Sequence, residues 1–133
     1  MVMRYIGIDY GSKRIGVAVS DDEGRMAFPV GVIINRGKRV LREIIERAKK
    51  EQAQIIVVGL PTGLDGKETE QTKTIKLFTA TLAQAIDIPV EMENEMFTSR
   101  MAAGSGMKGD HVDAASAAII LQSYLDKENA IVK

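Results

Sequence analysis

The sequence contains no cysteine and no tryptophan, and histidine occurs once, at His111. Without cysteine there are no disulfides, no zinc–thiolate sites and no thiol nucleophile. A single histidine excludes a histidine-based triad and a multi-histidine metal cage. Any metal must then be held by oxygen, which favours Mg²⁺, Mn²⁺ or Ca²⁺. Long apolar runs are also missing. Nothing approaches the ~20 residues of a membrane span, and the opening MVMRYIGID has no signal-peptide core. The cytoplasm is the expected location and a membrane is not an expected partner. Charge of one sign is missing too: 18 basic and 18 acidic residues sum to zero. That sum argues against nucleic acid as a partner, but distribution matters more. Between Arg36 and Lys50, seven basic residues (Arg36, Lys38, Arg39, Arg42, Arg47, Lys49, Lys50) stand against Glu43 and Glu46, a local +5. The stretch reads either as a solvated helix face or as a phosphate-backbone footprint.

What is present fits one domain, residues 1–133, with a core of its own. Residues 3–9 and 14–20 read as strands joined by the turn YGSK, with Ile15, Val17 and Val19 on one face and Gly16 and Ala18 on the other. A third strand, 26–34, carries Pro29, which points to an edge or a bulge. Val40, Leu41, Ile44, Ile45 and Ala48 then fall on one helical stripe, opposite the basic residues. QIIVVG (54–59) suits a central parallel strand covered on both faces. A helix over 68–86 presents Ile75, Phe78, Leu82 and Ala85, and IPVEM (88–92) is a fifth strand. The last helix, 112–127, carries Ala114, Ala117, Ala118, Leu121 and Leu125 in register. The order β-β-β-α-β-α-β-α predicts an α/β fold, a mixed five-stranded sheet of order 3-2-1-4-5 with helices on both faces.

The acids collect at strand ends and at the start of the last helix. Asp9 closes the first strand. Glu91, Glu93 and Glu95 alternate at and beyond the fifth, and Asp110 and Asp113 stand three apart at the helix start. In the order 3-2-1-4-5 the ends of strands 1, 4 and 5 converge at the switch-point crevice, and a helix across it could deliver Asp113 beside Asp9. Several carboxylates at one point repel unless a divalent cation joins them. Two such ions can activate water for in-line attack on phosphorus. Singly, each acid has a plainer role: Asp9 as a turn residue, Asp110 or Asp113 as a helix cap or first-turn acid, Glu91 and Glu93 as solvated charges that block sheet-to-sheet pairing.

Three motifs add a resemblance. GIDYGSKRIGVAVSD (7–21), VGLPTGLDG (58–66) and VDAASAAIILQSYLD (112–126) resemble the opening motif, central loop and closing helix of the YqgF-type Holliday junction resolvases, also described as pre-16S rRNA nucleases. The likeness runs from about Met3 to Asp126. It implies a ribonuclease-H-like fold and hydrolysis of phosphodiester bonds with Mg²⁺ or Mn²⁺. Position by position it implies Asp9, Glu95 and Asp113 as catalytic metal ligands, with Lys13 and Arg14 near the scissile phosphate. The family usually reads Asp-Glu-Arg where this chain has Asn94-Glu95-Met96. If the absent arginine holds a phosphate, another cation such as Arg100 must serve. The loop before the last helix is short, with Arg100, Lys108 and His111 as its basic residues, so Arg100 and Lys108 are candidate nucleic-acid contacts. Asp110 is a candidate fourth ligand.

The expected function is therefore that of a metal-dependent nuclease acting on structured nucleic acid, by 5′-end processing of pre-16S rRNA or by Holliday junction resolution. The alternative is a non-catalytic RNA-binding or ribosome-assembly module of the same fold. An actin-like or kinase-type ATPase shares the first motif but needs two such domains, more than 133 residues supply. The expected partners are pre-rRNA or branched DNA, met as a monomer or a homodimer. A symmetric junction cutter needs two copies.

Overall fold

A computed structural model describes residues 3–60, 69–94 and 110–132, with side chains in the last span from 113 to 130. Strands β1 (Tyr5–Tyr10) and β2 (Arg14–Ser20) form the expected hairpin, with Asp9 opposite Gly16 and Tyr10 opposite Ile15. β3 (Ala27–Ile34) pairs antiparallel with β2 at the sheet edge, and its register shifts beside Pro29. An edge position tolerates the missing proline N–H. After helix α1 (Arg39–Lys50), β4 (Ile55–Leu60) lies parallel to β1. Helix α2 (Glu70–Ala85) leads to β5 (Val90–Asn94), parallel to β4. Helix α3 (Asp110–Val132) closes the chain, and the sheet order is β3-β2-β1-β4-β5. No helix among the described residues is long and apolar enough to cross a membrane.

Period-two alternation divides the core into two layers. Ile6, Ile8, Ile15, Val17, Ile56 and Val58 pack against Val40, Ile44 and Ala48 of α1 and Ile75 and Leu82 of α2. Tyr5, Ala18 and Val57 point the other way, onto Ala117, Ile120, Leu121 and Leu125 of α3. β4 is apolar throughout because it is covered on both sides. Some details depart from expectation. β5 begins two residues late, at Val90: Pro89 precedes the strand, and its carbonyl accepts from Ile56 N at 3.0 Å. α3 extends beyond 112–127 at both ends. Ala85 ends α2 exposed rather than on the buried stripe.

α3 lies close to the sheet because two glycines admit it. A side chain at Gly7 would come within 2.7 Å of Leu121 Cβ and 2.9 Å of the Ala117 carbonyl oxygen. A side chain at Gly16 would collide with the Asp113 carbonyl. Real side-chain carbons do not approach backbone so closely, so both positions exclude alanine unless the helix moves.

Candidate active site

Parallel pairing of β1, β4 and β5 puts their carboxyl ends at one sheet edge, where open α/β sheets bind ligands. Asp9 lies at this edge. By alternation it shares a face with Tyr5 and Gly7, the face that α3 covers. Gly16, its cross-strand neighbour, carries the first turns of α3 on its bare backbone. The chain thus brings residue 113 to residue 9 across 104 positions through one missing side chain.

Electrostatics follows from that approach. The Asp9 carboxyl is raised from its ordinary 3.8 to about 6, first by burial and then by the negative charge of Asp113. Asp113 is held in turn by Arg14, whose Nε donates to Asp113 Oδ2 at 2.7 Å. Arg14 opens β2 and faces Ile34 of β3. Lys13 is exposed in the hairpin turn before it. The turn is braced by Asn35: its backbone N donates to the Lys13 carbonyl at 2.9 Å and its Nδ2 to the Gly11 carbonyl at 2.8 Å. The structure therefore brings Asp9, Arg14 and Asp113 together beside a fixed hairpin turn. Sequence reasoning missed the Asn35 brace; an asparagine just past a strand was its only signal.

The other candidates fall elsewhere. Glu95, Arg100 and Lys108 lie outside the described residues, as does the side chain of Asp110, although its backbone opens α3. Glu91 is exposed, as expected of an edge charge. Glu93 is not: it is 5% exposed and its Oε2 accepts from Ser123 Oγ at 2.7 Å and Lys127 Nζ at 2.6 Å. It clamps the end of β5 to α3, which corrects its reading as a solvated charge. The partners stand 30 and 34 positions away, so no local spacing announced them.

Among the described residues, no three or more acidic, histidine or cysteine side chains converge on one point. Asp9 and Asp113 are two. A half-buried carboxyl whose anion is opposed by a second carboxylate is nonetheless a donor pair whose chemistry fits a hard divalent cation.

Residues 3–127 match the RuvX Holliday junction resolvase family. A protein of Nitratidesulfovibrio vulgaris named "Putative pre-16S rRNA nuclease" is 38% identical over 133 residues, with 93% of this chain and 94% of that one covered. One of the same name from Rickettsia bellii is 32% identical over 135 residues, covering 95% and 88%. Among solved structures, Thermus thermophilus RuvC in complex with a Holliday junction substrate superposes with a TM-score of 0.63 at 16% identity, covering 96% of both chains. The yeast mitochondrial resolvase Ydc2 gives 0.58 at 12% identity, covering 98% of this chain and 83% of that one. These distant likenesses show a RuvC-like fold.

Proposed function

The chain belongs to the RuvX Holliday junction resolvase family, a nuclease family of RuvC-like ribonuclease-H fold, and from that premise we propose that it hydrolyses phosphodiester bonds of structured nucleic acid at Asp9, Glu95 and Asp113. The observation that carries this reading is the meeting of Asp9 and Asp113 at the carboxyl edge of the sheet, close enough for one to raise the other's pKa. Asp9, Glu95 and Asp113 would hold Mg²⁺ or Mn²⁺, with Asp110 as a further ligand. The bound ion supplies Lewis acidity for attack of water on phosphorus.

The remaining roles belong to the chain. Arg14 fixes the rotamer of Asp113 through the 2.7 Å bond, so that the carboxylate is oriented in advance. Lys13, exposed on its braced turn, neutralises an incoming phosphate. Arg100 and Lys108 add further phosphate contacts. The substrates of this reading are the 5′ end of precursor 16S rRNA or a four-way DNA junction, met in the cytoplasm. Paired cuts across a junction require two copies, and trimming one RNA end requires one.

The test is cleavage of both substrates by purified protein, with Mg²⁺ or Mn²⁺ and with chelator. Metal-dependent cleavage of at least one is expected, falling about 100-fold or more in Asp9→Asn. Two uncut substrates, or cleavage indifferent to Asp9→Asn, contradict the reading. RNA binding untouched by that substitution, with no cleavage, would instead identify a non-catalytic assembly module.

A further inference from the structure

The chain is electrically neutral, so the +5 between positions 36 and 50 leaves −5 on the remaining residues. The structure shows where that positive charge stands. β3 runs in the same direction as β1, because each is antiparallel to β2. Its carboxyl end therefore lies at the Asp9 edge, and α1 starts there. Asn35 joins the start of this segment to the Gly11–Lys13 turn through its two hydrogen bonds. Lys13, Arg36, Lys38, Arg39 and Arg42 are all exposed. Among the described residues, none of the last four forms an ion pair. Lys38, Arg39 and Arg42 line a surface hollow of about 550 Å³ together with Glu43 and Glu46, so its lining carries one net positive charge.

This arrangement costs the helix stability. α1 has no acid in its first turn and no side-chain cap, and it places cations at the positive end of its dipole. α2, by contrast, begins with a Thr69–Thr72 capping box. A local rule broken in one helix and kept in the next marks a surface shaped by something other than stability.

We propose that the amino-terminal half of α1 is a track for the phosphodiester backbone of the substrate, leading over the Lys13 turn to the Asp9 site. The proposal rests on the nuclease reading and adds to it the route by which substrate arrives. Phosphate is the complement of a row of cations that form no ion pair among the described residues. Arg39 and Arg42, three apart, present their guanidinium groups on one side of the helix. The far end of α1, with Lys49 and Lys50, stands about 16 Å away at 1.5 Å per residue and lies off the track.

The experiment compares two variants of equal charge loss, Arg39→Gln/Arg42→Gln and Lys49→Gln/Lys50→Gln. Glutamine has the helix propensity of arginine and lysine, so α1 is kept. Binding of a fluorescent four-way DNA junction and of a precursor 16S rRNA fragment is measured across salt concentrations, beside the cleavage kinetics of each. For the first variant we expect at least tenfold weaker binding near 0.1 M salt. Its log–log salt slope should be shallower by about 1.4–1.8, its KM raised and its kcat at saturation unchanged. Lys49→Gln/Lys50→Gln is expected to bind within twofold of the native protein. Arg39→Lys/Arg42→Lys should keep most of the binding, because it keeps the charge. Equal losses in the two glutamine variants would reduce the effect to net charge and overturn the track. Native binding by Arg39→Gln/Arg42→Gln would overturn it too, leaving the basic face to an acidic protein. Cleavage that persists with unchanged KM in that variant defeats the track alone. Binding that depends on α1 without any cleavage by the native protein defeats the nuclease reading alone.

Discussion

At the scale of single residues, Asp9 stands where a carboxylate is expensive. Its pKa near 6 means that the folded chain holds that proton more tightly than the unfolded chain, whose value is the ordinary 3.8. Without metal, the cost of ionising Asp9 in the fold is absent below pH 3.8, grows as pH rises, and is fully present above about 6. Urea unfolding in chelator is therefore expected to show Asp9→Asn more stable than the native chain by about 1–3 kcal/mol at pH 7.5, with the gap closing toward pH 4. A gap that widens on acidification would mean that Asp9 is stabilised as an anion. Gly16 is the second critical position. Gly16→Ala sets a methyl group against the backbone of Asp113 and is expected to cost about 1–3 kcal/mol. Gly31→Ala, with nothing within 4 Å, is expected to stay within about 0.5 kcal/mol. Thermal melts of the two variants provide the comparison.

At the scale of elements, α3 joins the site to the sheet at two places, at Gly16 through its first turns and at Glu93 through Ser123 and Lys127. Removing Lys127 leaves a buried carboxylate with one hydroxyl donor. Lys127→Met is thus expected to cost about 1–3 kcal/mol, and Glu93→Gln/Lys127→Met less than Lys127→Met alone. A double variant worse than the single one would contradict the clamp. The elements themselves were legible in the sequence because each carried its own period: β2 matches residue for residue, and the stripe Val40–Ala48 is the buried face of α1. Legibility stopped where pairing over distance took over. Alternation put Glu91, Glu93 and Glu95 on one side but could not show that a lysine 34 residues away would bury Glu93. It could not show that Arg14 would turn toward Asp113, 99 residues on. Gly7 and Gly16 were visible as letters; their purpose, admitting a helix to close contact with the sheet, needed the helix in place.

At the scale of the whole molecule, the sheet order β3-β2-β1-β4-β5 gathers strand ends from distant parts of the chain at one edge. The same edge receives the acidic pair from β1 and α3 and the cationic row from the hairpin and α1. Zero net charge thus conceals a sorted surface, with cations gathered on the hairpin turn and the start of α1 and the Asp9–Asp113 pair at the same edge, an arrangement that would let a neutral chain approach a polyanion. A divalent ion held by the acids would stabilise the whole fold by mass action. At free Mn²⁺ about 100 times its dissociation constant, the native protein is expected to gain roughly 2.7 kcal/mol, and Asp9→Asn little or nothing. An equal gain in both would place the ion elsewhere.

The central claim is that Asp9 and Asp113 together hold a divalent ion. A crystal soaked in Mn²⁺ and read by anomalous scattering tests it most directly. The expected result is a peak within about 2.0–2.4 Å of carboxylate oxygens from both residues. A peak bound to neither, or no peak at a concentration that stabilises the protein in solution, would contradict it.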